Sequence, residues 1–192
     1  MRIIGGEWRS RRLRSARRAG LRPTSDRLRE TLFDLLGAGV AGRGFVDAFA
    51  GTGAVGLEAY SRGARPVVWI EEARAAARLL RSNLAALGAE GVQALVWERR
   101  LPAAVAQLSR LPALQAAGGA AWVFLDPPYE DVQATERLLC GLGRYPGALA
   151  KGGQVIAETR RGTPLPEQAG GWRRLRIHVQ GDSQLAFFGA ND

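Results

Sequence analysis

The sequence predicts an α/β fold: a mostly parallel sheet covered on both faces, with an antiparallel hairpin at one edge. Three observations carry this. From Phe45 onward, short apolar runs alternate with helical stretches, the rhythm of a sheet built from strand–helix units. The runs are almost continuously apolar, which marks strands buried on both faces. The last part, Trp172 to Phe188, has two strand-like runs with no helix between them, so they pair as a hairpin.

The predicted strands are Phe45-Val46, Val67 to Ile70, Leu95 to Trp97, Trp122 to Leu125 and Val155 to Ala157. The predicted helices between them cover about 54–63, 72–87, 102–109 and 131–143. An earlier helix starts at Ser25. Leu28, Leu32, Leu35 and Leu36 fall at i, i+4, i+7 and i+8 on one face, and Gly37 is its stop. Met1 to Ser15 has short β-like pieces around Gly5-Gly6 and reads as a hook without a core of its own. The Ala/Gly/Pro-rich stretch 109–121 reads as a loop.

The 192 residues suffice for one domain of ordinary size. No apolar stretch approaches the ~18 residues of a membrane span, and the N-terminus lacks the apolar core of a secretory signal. The lone Cys140 excludes an internal disulfide and a Cys-rich zinc site; no metal is expected, and a reducing cytoplasm is. The net charge is +9, and residues 1–22 hold eight arginines against one acid, Glu7. That hook carries +7 of the total. Clustered arginine suits a polyanionic partner through bidentate phosphate contact. Arg2, Arg9, Arg11, Arg12, Arg14 and Arg22 are the candidate contacts to such a polyanion, Trp8 and the interleaved apolar residues setting them apart from a plain solvated charge run. His178, on a strand-like run, reads as an edge residue.

Asp47-Ala48-Phe49-Ala50-Gly51-Thr52-Gly53 follows a buried strand and opens a helix. Glycines there let a ligand approach the backbone, and the helix start offers unpaired N–H groups. Glu71 closes the next strand, beside that loop in a doubly wound sheet. Its carboxylate can accept the hydroxyl protons of a ribose, so a nucleoside-containing cofactor is expected. Gly51 to Gly56 also spells the dinucleotide fingerprint. Asp47 argues against that reading, because a carboxylate repels a pyrophosphate and attracts a cationic amino or sulfonium group.

Asp126-Pro127-Pro128-Tyr129 follows the buried run Trp122–Leu125. Two prolines remove two N–H donors and fix two φ angles, leaving a rigid turn that presents carbonyls outward. The exocyclic amine of a base is a poor nucleophile because its lone pair is delocalised into the ring. The Asp126 carboxylate and the Pro127 carbonyl, aimed at its protons, favour a pyramidal nitrogen. Tyr129 can stack on the base.

Together these residues resemble the amine methyltransferases with an (Asp/Asn)-Pro-Pro-(Tyr/Phe) motif, and more closely the bacterial RsmD family. Five stretches carry the resemblance: Met1 to Gly6, Leu21 to Glu30, Asp47 to Gly56 continuing to Glu58-Ala59, Leu125 to Tyr129, and Gly181 to Ser183. The resemblance implies a seven-stranded Rossmann-like methyltransferase fold in residues 23–192, preceded by an RNA-binding hook in 1–22. It implies S-adenosylmethionine held by Asp47, Phe49, Gly51, Thr52, Gly53 and Glu71, with Asp126 to Tyr129 on the target base. It also implies methylation of a guanine amine in 16S rRNA, free or in an assembling small subunit. One departure is Trp97-Glu98-Arg99-Arg100, where such enzymes often place an Asp or Asn against the adenine amine. No residue is assigned that contact. The absence of an obvious dimer helix favours a monomer. Rival readings are an amine methyltransferase acting on DNA adenine, another RNA or protein, a nicotinamide-dependent oxidoreductase, and a non-catalytic ribosome-assembly factor.

Overall fold

A computed structural model describes residues 1–15, 25–89, 91–128, 131 and 133–191. Its centre is one sheet of eight strands in the order β3-β2-β1-β4-β5-β8-β7-β6. The strands are β1 (Gly44–Ala48), β2 (Val67–Glu71), β3 (Ala94–Glu98), β4 (Ala120–Leu125), β5 (Leu149–Arg160), β6 (Gln168–Ala169), β7 (Trp172–Gln180) and β8 (Ser183–Ala190). The first five are parallel, and β8, β7 and β6 add antiparallel pairs. The expected hairpin is β7–β8. The extra strand relative to the expected seven is β6, whose two residues are too few to produce an alternation in sequence.

The helices are α1 (Asp26–Leu36), α2 (Ala54–Ser61), α3 (Arg74–Leu87), α4 (Val105–Leu108), α5 (Pro112–Ala116) and α6 (Ala134–Gly143). Ser25 caps α1 by accepting from the Leu28 N–H at 3.1 Å, and Gly37 ends it at φ 64°. The helix expected over 102–109 shortens to α4. The region expected as a loop over 109–121 contains α5, a single turn started by Pro112. One turn is too short to show a helical period.

Two apolar layers sandwich the sheet. Leu32, Phe33, Leu57, Leu80 and Leu84 pack under α1–α3 on one face, against Phe45, Trp69 and Phe124. Val105, Leu108, Leu114, Leu138 and Leu139 from α4–α6 cover the other, against Val46, Val68 and Val123. Ile3, Trp8 and Leu13 of the N-terminal hook belong to the first layer. The hook, expected as short β pieces, has a single Arg2–Arg12 antiparallel bridge. Its apolar side chains are spent on the main core, with Trp8 stacked on Tyr60 at 5.2 Å.

Candidate active site

Strand order reverses between β1 and β4. Such a switch point opens a crevice at the carboxyl ends of the two strands. Register pairs Ala48 with Leu125 and Ala48 with Ile70. The next residues up, Phe49, Asp126 and Glu71, therefore stand side by side at three adjacent strand ends, and Glu71 pairs with Glu98 at the fourth. Both predicted clusters thus meet at one place.

The β1–α2 loop is fixed by acceptors from elsewhere. Glu71 accepts the Gly51 N–H through Oε2 and the Ala73 N–H through Oε1, each at 2.7 Å. Asp47 accepts the Gly56 N–H at 2.7 Å. Trp69 Nε1 donates to the Gly53 carbonyl at 3.3 Å, and Asn83 Nδ2 to the Thr52 carbonyl at 3.3 Å. Phe49 takes φ 65° and Gly53 takes φ 79°. A Cβ at Gly53 would overlap the Leu80 side chain, and one at Gly56 would overlap the Trp69 indole.

These residues fit a cationic nucleoside cofactor. Gly51, at φ 56°, has open space where a Cβ would point, so the loop shows bare backbone to the crevice. Glu71 is only half-buried, and each of its oxygens has a further lone pair for a ribose hydroxyl. Asp47 differs from the open anion that its sequence position suggests. It is 2% exposed, and burial pushes its carboxyl from 3.8 up to about 8. The Gly56 N–H opposes that shift and the Glu71 charge adds to it. Glu98 is engaged by the Arg81 guanidinium, whose hydrogen bond holds its carboxyl below the usual range.

At the end of β4, Asp126 is half-buried, Pro127 buried and Pro128 exposed. Asp131 N–H donates to the Pro128 carbonyl at 2.9 Å, closing the turn toward α6. Tyr129 and Arg22 lie outside the described residues. Two surface hollows open elsewhere, one beside Phe33 and Arg62 and one between α4 and α6. Neither is lined by the Gly51 loop, Glu71 or Asp126.

Arg2, Arg9, Arg11, Arg12 and Arg14 are all exposed on the hook. Two of them are also engaged with α3. Arg11 Nη2 donates to the Ala86 carbonyl at 2.9 Å, and Arg14 Nη1 to Ser82 Oγ at 2.8 Å. The hook is anchored by residues that sequence reasoning missed. Glu58, fully buried, accepts the N–H groups of Ile4 and Gly5 at 2.8 and 2.7 Å. Ser61 accepts from Trp8 N–H at 2.9 Å and donates to the Gly5 carbonyl at 2.7 Å. Asn83 accepts the Arg14 N–H at 2.9 Å and donates to the Arg14 carbonyl at 3.1 Å. Buried Arg29 joins the hook to α2, bonding the Arg2 carbonyl and lying 3.7 Å from Glu58. The available signals were polar residues within apolar patterns: Glu58 as the one charge in α2, and Asn83 on the apolar stripe of α3.

A parallel sheet with a glycine loop and an acid at its first two strand ends, and an Asp-Pro-Pro turn at its fourth, defines the class of S-adenosylmethionine-dependent methyltransferases. The sequence profile described as Conserved hypothetical protein 95 matches residues 1–189. The Ribosomal RNA small subunit methyltransferase D of Escherichia coli (strain K12) is 36% identical over 187 residues, covering 97% of this chain and 87% of that protein. The solved structure of yhhF from Escherichia coli is 33% identical with a TM-score of 0.79, covering 100% of this chain and 98% of the other. The ribosomal protein L11 methylase from Lactobacillus delbrueckii subsp. bulgaricus, at 17% identity and a TM-score of 0.61, covers 86% of this chain and shares its fold. The chain belongs to the ribosomal RNA small subunit methyltransferase D family.

Proposed function

We propose that the protein transfers a methyl group from S-adenosylmethionine to the exocyclic amine of a guanine in 16S rRNA, free or in the assembling small subunit. The observation that carries this is the placement of the Gly51 loop, Glu71 and Asp126 at three adjacent strand ends. The name of the Escherichia coli relative supports the substrate class.

Asp47, Phe49, Gly51, Thr52, Gly53 and Glu71 hold the cofactor. When bound, S-adenosylmethionine supplies an electrophilic methyl group on a sulfonium. Asp126 and Pro127 accept hydrogen bonds from the target amine and localise its lone pair, Pro128 stiffens the turn that aims them, and the methylated amine releases its surplus proton to solvent. Tyr129 stacks on the base, a contact worth roughly 1–3 kcal/mol. Such a base must leave its stack to reach the crevice. The chain's contribution is therefore positioning rather than acid–base power. The hook, 1–22, grips RNA through Arg2, Arg9, Arg11, Arg12, Arg14 and Arg22, and residues 23–192 form the methyltransferase domain. We place the protein in the cytoplasm as a monomer; among the described residues no helix is long and apolar enough to cross a membrane.

The test is transfer of labelled methyl to small subunits from cells lacking the activity, followed by nucleoside mass analysis. Label in a guanosine methylated on its amine is the expected result. Tight cofactor binding with no label in those subunits would move the substrate to DNA, protein or another RNA.

A further inference from the structure

Helix α3 carries three arginines and no acid. Arg74, Arg78 and Arg81, at i, i+4 and i+7, share one exposed face. This arrangement runs against the helix's own electrostatics. Like charges at i+3 and i+4 repel. Arg74 also sits in the first turn, where the helix dipole favours an acid, and Ala73 offers no side-chain cap. A face built only to be solvated would gain from one glutamate there.

The stripe's surroundings give it a direction. Its upper end adjoins the crevice, because Glu71 accepts the Ala73 N–H one residue before Arg74. Its lower end receives the hook, where Arg14 binds Ser82 and Asn83 and Arg11 binds Ala86. From Arg74 to Ala86 the helix rises ~18 Å. Arg81 is ion-paired with Glu98 at the end of β3, and Arg74 and Arg78 continue the exposed stripe from it toward the crevice. The crevice itself has the acids Glu71 and Asp126 at adjacent strand ends, which repel phosphate. A nucleic-acid strand delivering one base there must keep its backbone outside that acidic mouth.

We infer that the Arg74–Arg78–Arg81 face of α3 is a phosphate track holding the RNA backbone beside the target base, continuous with the basic hook. The inference rests on the RNA reading proposed above. The track fixes the approach of the strand, and the hook, joined through Asn83 to the Thr52 carbonyl, adds grip beside it.

The test uses Arg74→Gln/Arg78→Gln in the full chain. Both substitutions remove like-charge repulsion from α3, so the melting temperature is expected to hold. Binding to a 16S rRNA transcript is measured across salt concentrations, with methyl-transfer kinetics alongside. The slope of log affinity against log salt should fall in magnitude by about 1.4, for two single-strand phosphate contacts. KM for RNA should rise at least about tenfold, with kcat and cofactor affinity within about twofold. An unchanged slope and KM, in a protein whose Arg9→Gln/Arg12→Gln variant does lose affinity, would overturn the track and leave the RNA reading intact. A loss seen on assembled subunits and not on naked transcript would also overturn it, assigning the stripe to a protein partner. A parent chain that neither binds nor methylates the transcript or the subunits would overturn the RNA reading and the track together.

Discussion

The loop after β1 is held by partners drawn from several other parts of the chain, whereas the turn after β4 has two of its φ angles fixed by its own proline rings. Gly51, Thr52, Gly53 and Gly56 are each tied to a residue of β1, β2 or α3. In Asp126-Pro127-Pro128, two pyrrolidine rings fix the φ angles of the prolines, and the Asp131 N–H closes on the Pro128 carbonyl. The first arrangement makes a cradle whose shape depends on remote side chains. The second makes a turn whose backbone is set largely by its own residues. Damage to the two should therefore show in different measurements.

The largest effect is expected at the turn. Asp126→Ala should lower turnover by at least about 10²-fold, the scale of losing one positioned polar group at a reacting centre, with cofactor affinity and melting temperature nearly unchanged. Turnover near the parent's would remove Asp126 from the chemistry. Asp47 comes next, through pH. Its carboxyl, raised by burial from 3.8 to about 8, keeps its proton in the folded state and loses it on unfolding in that window. Stability must then fall as pH rises from about 4 to 8. Asp47→Asn keeps an acceptor for Gly56 and removes the titration. It should be more stable than the parent at pH 8, with the gap closing toward pH 4 in urea denaturation. A gap constant with pH would mean that Asp47 is ionised throughout. The smallest effect belongs to Gly53→Ala, which forces a side chain to φ 79° and against Leu80. It should cost roughly 1–3 kcal/mol of stability and weaken cofactor binding while sparing RNA affinity. Calorimetry with each ligand separates the two.

The same contrast explains what the sequence disclosed. The Asp-Pro-Pro turn and the glycine loop were legible because their residue types act where they stand. The parallel strands were legible because burial on both faces writes a continuous apolar run. Glu58, Ser61 and Asn83 were not, since each is defined by a partner 53 to 69 positions away. A carboxylate in a buried helix announces only that something must neutralise it. The arginine stripe of α3 was visible as composition, but its meaning depends on the hook docking at Ser82 and Ala86. The short elements β6 and α5 escaped because neither is long enough to show its period.

The docking of the hook also orders events in time. Arg14 must wait for Asn83, which is made 69 residues later. At ~5–20 residues per second, the wait is roughly 3–14 s. Within that wait the Glu58 and Ser61 anchors of the hook are made first and the Asn83 anchor last. The hook is synthesised before every one of these anchors, so its placement is set by the emergence of α2 and α3 rather than by its own sequence.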